Sequence, residues 1–214
     1  MFEYPEFVKV NDKKYKINTD FRIAIECNEI AMDESIGDYE RALAVIYKLF
    51  GDNGLNDADN HEQLLKLALK YLACGKEIEK NTNEEPDMDF VQDMDYIKAS
   101  FRSDYNIVLD NEEMHWWEFC NLMNGLSNSE FGNCCVLNRI RNIRNMDEKN
   151  IKDPKELQKI KDAKKQVALK KKKKKVQLTD EQIKNIENYY KITGINRKEW
   201  FYGWMGYCWD KIRQ

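Results

Sequence analysis

The stretch Phe90-Val91-Gln92-Asp93-Met94-Asp95-Tyr96-Ile97-Lys98-Ala99-Ser100-Phe101 sets Phe90, Met94, Ile97 and Phe101 three and four residues apart. An α-helix turns once every 3.6 residues, so this spacing lines up one apolar face. A second stripe of helical period, Trp116, Phe119, Cys120 and Met123, falls in a helix predicted from about Asn111. The two stripes are the predicted core of a mostly α protein.

The reading extends outward in both directions. Upstream, helical patterns cover Tyr39–Phe50 and His61–Ile78, the first closed by the turn cluster Gly51-Asp52-Asn53-Gly54. Before them, Asn18-Thr19-Asp20 offers capping side chains to a helix carrying Phe21, Ala24, Ile25, Asn28 and Ile30 that fades near Asp33. Phe7 to Ile17 alternates apolar and polar residues around Asn11-Asp12, the signature of a β-hairpin, and a lone hairpin is stable only when it leans on something else. The polar run Glu79–Asp89, which contains Pro86, reads as an exposed acidic loop and a joint.

Downstream, Ser127-Asn128-Ser129-Glu130 has the form of a capping box for a helix through Val136, Ile140, Ile143 and Arg144. Asp153-Pro154-Lys155-Glu156 opens another helix with proline at its first position, and Thr179-Asp180-Glu181-Gln182 is a further box whose helix stops near Gly194. The expected architecture is a compact helical domain with a short N-terminal β-hairpin, an acidic body over residues 1–150, and a basic helical extension over 151–214 ending in the aromatic segment Trp200–Trp209. No internal repeat of fixed period is present.

Charge divides along the same line. Residues 1–130 hold 28 acidic and 13 basic side chains, a net of -15, whereas residues 131–214 hold 10 acidic and 22 basic, a net of +12. Such halves attract one another within a molecule or head to tail between molecules. Only 3 Pro and 9 Gly interrupt 214 residues that are 42% hydrophobic and 34% charged, which excludes a disordered or disulfide-scaffold class. Cys27, Cys74, Cys120, Cys134, Cys135 and Cys208 form no C-x-x-C pair and several lie on apolar helical faces, so a reducing cytosol is expected. No stretch has the form of a signal peptide, and no run approaches the roughly 18 apolar residues that a membrane span needs.

Chemistry-bearing patterns are sparse. His61 and His115 are the two histidines, neither at helical spacing from a second strong ligand, and the adjacent Cys134-Cys135 lacks zinc spacing. No nucleophile elbow and no glycine-rich phosphate cradle occurs, so no catalytic residue, metal or cofactor is expected. The run Lys170, Lys171, Lys172, Lys173, Lys174 and Lys175 is able to neutralise phosphates, but six consecutive lysines point all ways round a helix with no base-reading geometry. A solvated spacer or charge-docking tail is the stronger reading, and nucleic-acid binding the alternative. Trp204 and Trp209 in the aromatic end are expected to pack back onto the body, form a self-association surface or anchor a partner.

The middle of the chain resembles one known family. Asp95-Tyr96-Ile97-Lys98-Ala99-Ser100-Phe101, Tyr105-Asn106-Ile107-Val108-Leu109, Met114-His115-Trp116-Trp117-Glu118-Phe119 and Gly125-Leu126 are similar to the phage "gene fifteen product" family, encoded beside the tape-measure protein in long-tailed phages of Gram-positive bacteria. The hairpin and Asn18-Thr19-Asp20-Phe21-Arg22 fit the family's opening, so the resemblance covers roughly residues 7–150. Met114 stands where the family has a leucine, an exchange of similar volume, and the aromatic end has no counterpart. The resemblance implies a tail-assembly chaperone, not an enzyme, that binds and solubilises the tape-measure protein. His115 and Trp117 are then candidate partner-binding residues, set against a covering role for His115 and a core role for Trp116, from which Trp117 lies about 100° round the helix.

Overall fold

A computed structural model describes residues 3–33, 35–76, 86–128, 134–149, 151 and 153–170. The Thr179 capping box, Lys171–Lys175 and the aromatic end with Trp204 and Trp209 lie outside these residues. The elements are strands β1 (Phe7–Val10) and β2 (Lys13–Lys16), then helices α1 (Phe21–Ala31), α2 (Asp38–Leu55), α3 (His61–Leu72), α4 (Met94–Tyr105), α5 (Trp116–Asn124), α6 (Val136–Asn145) and α7 (Pro154–Val167). Single 3-10 turns stand at Ala58–Asn60 and Leu109–Asn111. The protein is mostly α with an N-terminal hairpin. Its described residues fall into two compact units, 3–76 with Met114–Trp117, and 86–113 with 118–170.

In the first unit the hairpin pairs Phe7 with Lys16, Val8 with Tyr15, Lys9 with Lys14 and Val10 with Lys13. The two-residue turn needs a left-handed residue, and Asn11 supplies it with φ 51°. Alternation then sends Val10 and Tyr15 inward, where both are buried, along with Ile17 just beyond β2. The Asn18 amide donates to Leu49 O at 2.7 Å, fixing the strand's exit on α2. Asp20 caps α1 by accepting the Arg22 amide at 2.8 Å, as its position before Phe21 predicts.

One helix end follows the sequence reading and one differs. The helical run of α2 breaks at the Gly51 cluster as read: Gly51 takes φ 63° and ψ -158°, a break that a residue without Cβ makes at no steric cost, and a further helical stretch then continues to Leu55. Gly54 permits this because it has no Cβ, which would stand 2.6 Å from Phe50 Cβ. α3 ends at Leu72 rather than Ile78, because Cys74 (φ 54°) and Gly75 (φ 77°) both turn left-handed. The Gly75 amide reaches back to Lys70 O at 2.9 Å, closing the last turn in the manner of a Schellman cap.

In the second unit the stripe of the opening stretch is the buried face of α4, with Ile97 and Phe101 fully buried. Phe101 stacks on Phe119 at 5.3 Å between ring centroids and 15° between planes, and Phe90 lies 6.2 Å from the same ring. α4 begins at Met94 because Asp89 holds the preceding residues in a turn, accepting the Val91 and Gln92 amides. Ser100 joins two helices: its hydroxyl donates to Tyr96 O at 2.7 Å and accepts the Leu137 amide at 3.0 Å. α6 opens at Val136, later than the Ser127–Glu130 box places it, with Cys135 Sγ accepting the Asn138 amide at 3.4 Å as the cap. α7 opens as read, Asp153 accepting the Lys155 amide with Pro154 in the first turn, and none of its residues is buried.

Candidate functional site

His115 forms a single antiparallel bridge with Asp20 in the first unit, in which the Phe21 amide donates to Met114 O at 3.1 Å and the Trp116 amide to Thr19 O at 2.8 Å, and Trp116 and Trp117 follow directly. The bridge fixes both indoles at the end of α3. A helix leaves its last four carbonyls without intrahelical donors. Trp116 Nε1 donates to Leu72 O at 3.0 Å and Trp117 Nε1 to Tyr71 O at 2.9 Å, which also accepts the Cys74 amide at 3.0 Å, so two consecutive indoles meet two consecutive carbonyls of the last turn. Trp116 is buried, and Trp117 is half-buried, stacked on Tyr71 at 6.1 Å.

His115 is half-buried and stacked on Tyr4 at 4.9 Å. Its Nδ1 accepts the Trp117 amide at 3.0 Å, which assigns the ring proton to Nε2, and Nε2 then donates to Pro5 O at 3.2 Å. The residue therefore ties the N-terminal segment to the indole string. Of the sequence-predicted partner-binding residues, the structure brings His115 and Trp117 together here. Lys170 is exposed in the second unit, where its amide donates to Gln92 Oε1 at 2.8 Å.

A second polar centre gave no local signal. In the second unit Arg144 makes a two-pronged ion pair with Asp93, both contacts 2.7 Å, with side chains 10% and 1% exposed. The same guanidinium donates to Asp87 O at 2.8 Å and Val167 O at 2.7 Å, joining three segments far apart in sequence. The hydrogen bonds that Arg144 donates to the Asp93 carboxylate push the Arg144 pKa above its ordinary value. Beside it Arg141 and Asn145 hold the Asp87 carboxyl below the usual range, outweighing the burial that would raise it. Arg144 appeared in the sequence only as the end of an apolar stripe, and its partners stand 51, 57 and 23 residues away.

In the first unit Asp57 gathers Lys13 Nζ at 2.6 Å and the Tyr15 hydroxyl at 2.5 Å, and these hydrogen bonds, Lys13 first, lower its pKa to about 2. This cluster pins the hairpin to the turn before α3. Burial pushes the Cys27 thiol up to about 12, so it packs as an inert apolar group. Among the described residues no three His, Cys, Asp or Glu side chains converge as a metal site, and no helix is long and apolar enough to cross a membrane.

Neither the curated proteins nor the solved structures hold a match to this chain. A family model described as bacteriophage Gp15 protein matches residues 3–169, which span the hairpin, the indole string, the Arg144 centre and α7. The match agrees with the resemblance carried by residues 95–126 and extends it at both ends, and on that ground the chain belongs to the bacteriophage Gp15 protein family.

Proposed function

We propose that this phage protein is a tail-assembly chaperone that binds the tape-measure protein in the host cytoplasm and acts by shielding it, not by chemistry. Membership of the Gp15 family over residues 3–169 is the observation that carries the reading. The second unit adds physical support. α7 is amphipathic, yet Leu157, Ile160 and Val167 are half-buried and none of its residues is buried. An incompletely covered apolar stripe flanked by lysines is a surface against which a helical partner would pack and from which it would be displaced. Many copies along one long client supply avidity without a strong individual contact.

Co-expression with the tape-measure protein of the same phage genome tests this. The expected result is a tape-measure protein that stays soluble and co-elutes with the chain through size exclusion. A tape-measure protein that precipitates equally with and without the chain overturns the proposal. The alternative, an accessory nucleic-acid binder using Lys170–Lys175, predicts instead a DNA affinity that falls steeply with salt and vanishes when the run becomes glutamine.

A further inference from the structure

One turn of the second unit grips a distant segment twice. Asp89 accepts the Val91 and Gln92 amides, which fixes the residues before α4 and leaves the Gln92 side chain exposed. That carboxamide closes on the backbone of a single residue: Oε1 accepts the Lys170 amide at 2.8 Å and Nε2 donates to Lys170 O at 3.0 Å. One residue of an antiparallel strand exchanges the same two bonds with its neighbour, so the grip reads main chain and not side chain. The next residue of the turn, Asp93, holds Arg144, whose Nε donates to Val167 O at 2.7 Å. Between the two grips Ala168 leaves the helical region at φ -60° and ψ 137°, and Val167 and Leu169 are half-buried.

The helix that this segment closes is lightly held. α7 packs on α6, none of its residues is buried, and Lys164 Nζ reaches Met146 O at 2.7 Å and Glu148 at 3.1 Å near the surface. Few buried apolar groups and hydrogen bonds open to water mark an element that opens at low free energy while its surroundings stay folded. The two grips differ in the same respect: Arg144 is pinned by a buried carboxylate, whereas water competes for both bonds of Gln92. We infer that residues 167–170 form a releasable latch, in which Gln92 lets go of the Lys170 backbone and α7 opens as a unit from a second unit that stays folded. Lys170 is also the first residue of the run Lys170–Lys175, so anything that holds the run elsewhere favours opening, and opening favours it in return. Opening frees the stripe of Leu157, Ile160 and Val167 for a partner, a consequence that rests on the chaperone reading above; the latch itself does not.

Amide hydrogen exchange of the full chain, without any partner, tests the latch. In the parent, α7 should exchange faster than α4 yet more slowly than an unprotected peptide. Gln92→Ala should speed exchange over residues 154–167 by about tenfold and leave the amides of Ile97 to Phe101 unchanged, which also shows that the variant is folded. Lys170→Pro, which deletes the amide donor, should do the same, and the double variant should add little to either. Lys170→Ala removes the ammonium group, keeps the amide and should behave as the parent. The inference is overturned if α7 is unprotected in the parent or exchanges only together with α4. It is equally overturned if Gln92→Ala leaves α7 unchanged or loosens α4 in parallel, or if Lys170→Ala matches Lys170→Pro, which would make charge the fastening.

Discussion

The two units solve one problem, fastening segments distant in sequence, with different chemistry. In the first, two neutral indoles donate to the end of α3, each hydrogen bond delivered by a ring that also buries apolar surface. In the second, one guanidinium satisfies a buried carboxylate and two backbone carbonyls. Neutral donors cost little when a partner is lost. A buried ion pair is severe in the same test, since removing one partner strands the other charge where water does not reach it. Stability should therefore be far more sensitive at Arg144 than at either tryptophan, although the tryptophans are the larger side chains.

The largest effect is expected from Arg144→Met, which leaves Asp93 buried and unpaired, a loss of about 3–5 kcal/mol in urea unfolding. Pairing it with Asp93→Leu should recover most of the loss, because two apolar groups replace two charges. A double variant no more stable than Arg144→Met breaks the comparison, since the carbonyls of Asp87 and Val167 would then be the costly members. Trp116→Phe keeps most of the ring and removes the donor to Leu72 O, at about 1–3 kcal/mol by the same measurement. Gly75→Ala sharpens the indole side of the comparison. It forces φ 77° on an alanine at about 1–2 kcal/mol, and its Cβ would stand 3.0 Å from the Trp117 ring. The two effects should be less than additive, because both loosen the same helix end.

These fastenings also separate what the sequence revealed from what it hid. The hairpin was legible because alternation and a turn-forming Asn11 are local facts, and the apolar stripe of α4 because its period is intrinsic. Asp20 and Asp153 were legible as caps for the same reason. Helix ends were misplaced where a non-local or conformational cause decided them: left-handed Cys74 and Gly75 stop α3, and the Asp89 turn delays α4. The His-Trp-Trp string announced the family but not its place in the fold. Nothing in Trp116-Trp117 says that their ring nitrogens will meet the carbonyls of Leu72 and Tyr71, more than forty residues earlier. Arg144 and Asp93 carried still less signal, because each is an ordinary polar residue on an amphipathic helix boundary until the chain folds.

The smallest effect is expected where an ion pair stands at the surface. Lys13 is 64% exposed, so its contact is screened by water and by salt, and Asp57, itself 12% exposed, keeps the Tyr15 hydroxyl as a donor when Lys13 is lost. The pair is still visible through pH. The folded-state pKa of Asp57 lies at about 2, below its ordinary 3.8, so the folded protein binds the proton less readily than the unfolded chain. The stability this contributes is fully present above 3.8 and is lost as pH falls through about 2. His61 adds loss in a separate, higher window. Burial holds its pKa below 6.5, so folding favours the neutral ring and the contribution weakens as pH drops beneath that value. Thermal unfolding followed across pH should show both limbs, with Asp57→Asn flattening only the more acidic one and leaving the histidine limb in place. A deeper histidine limb in that variant would mean that the charge of Asp57, which raises the His61 pKa, had been offsetting much of the effect of burial.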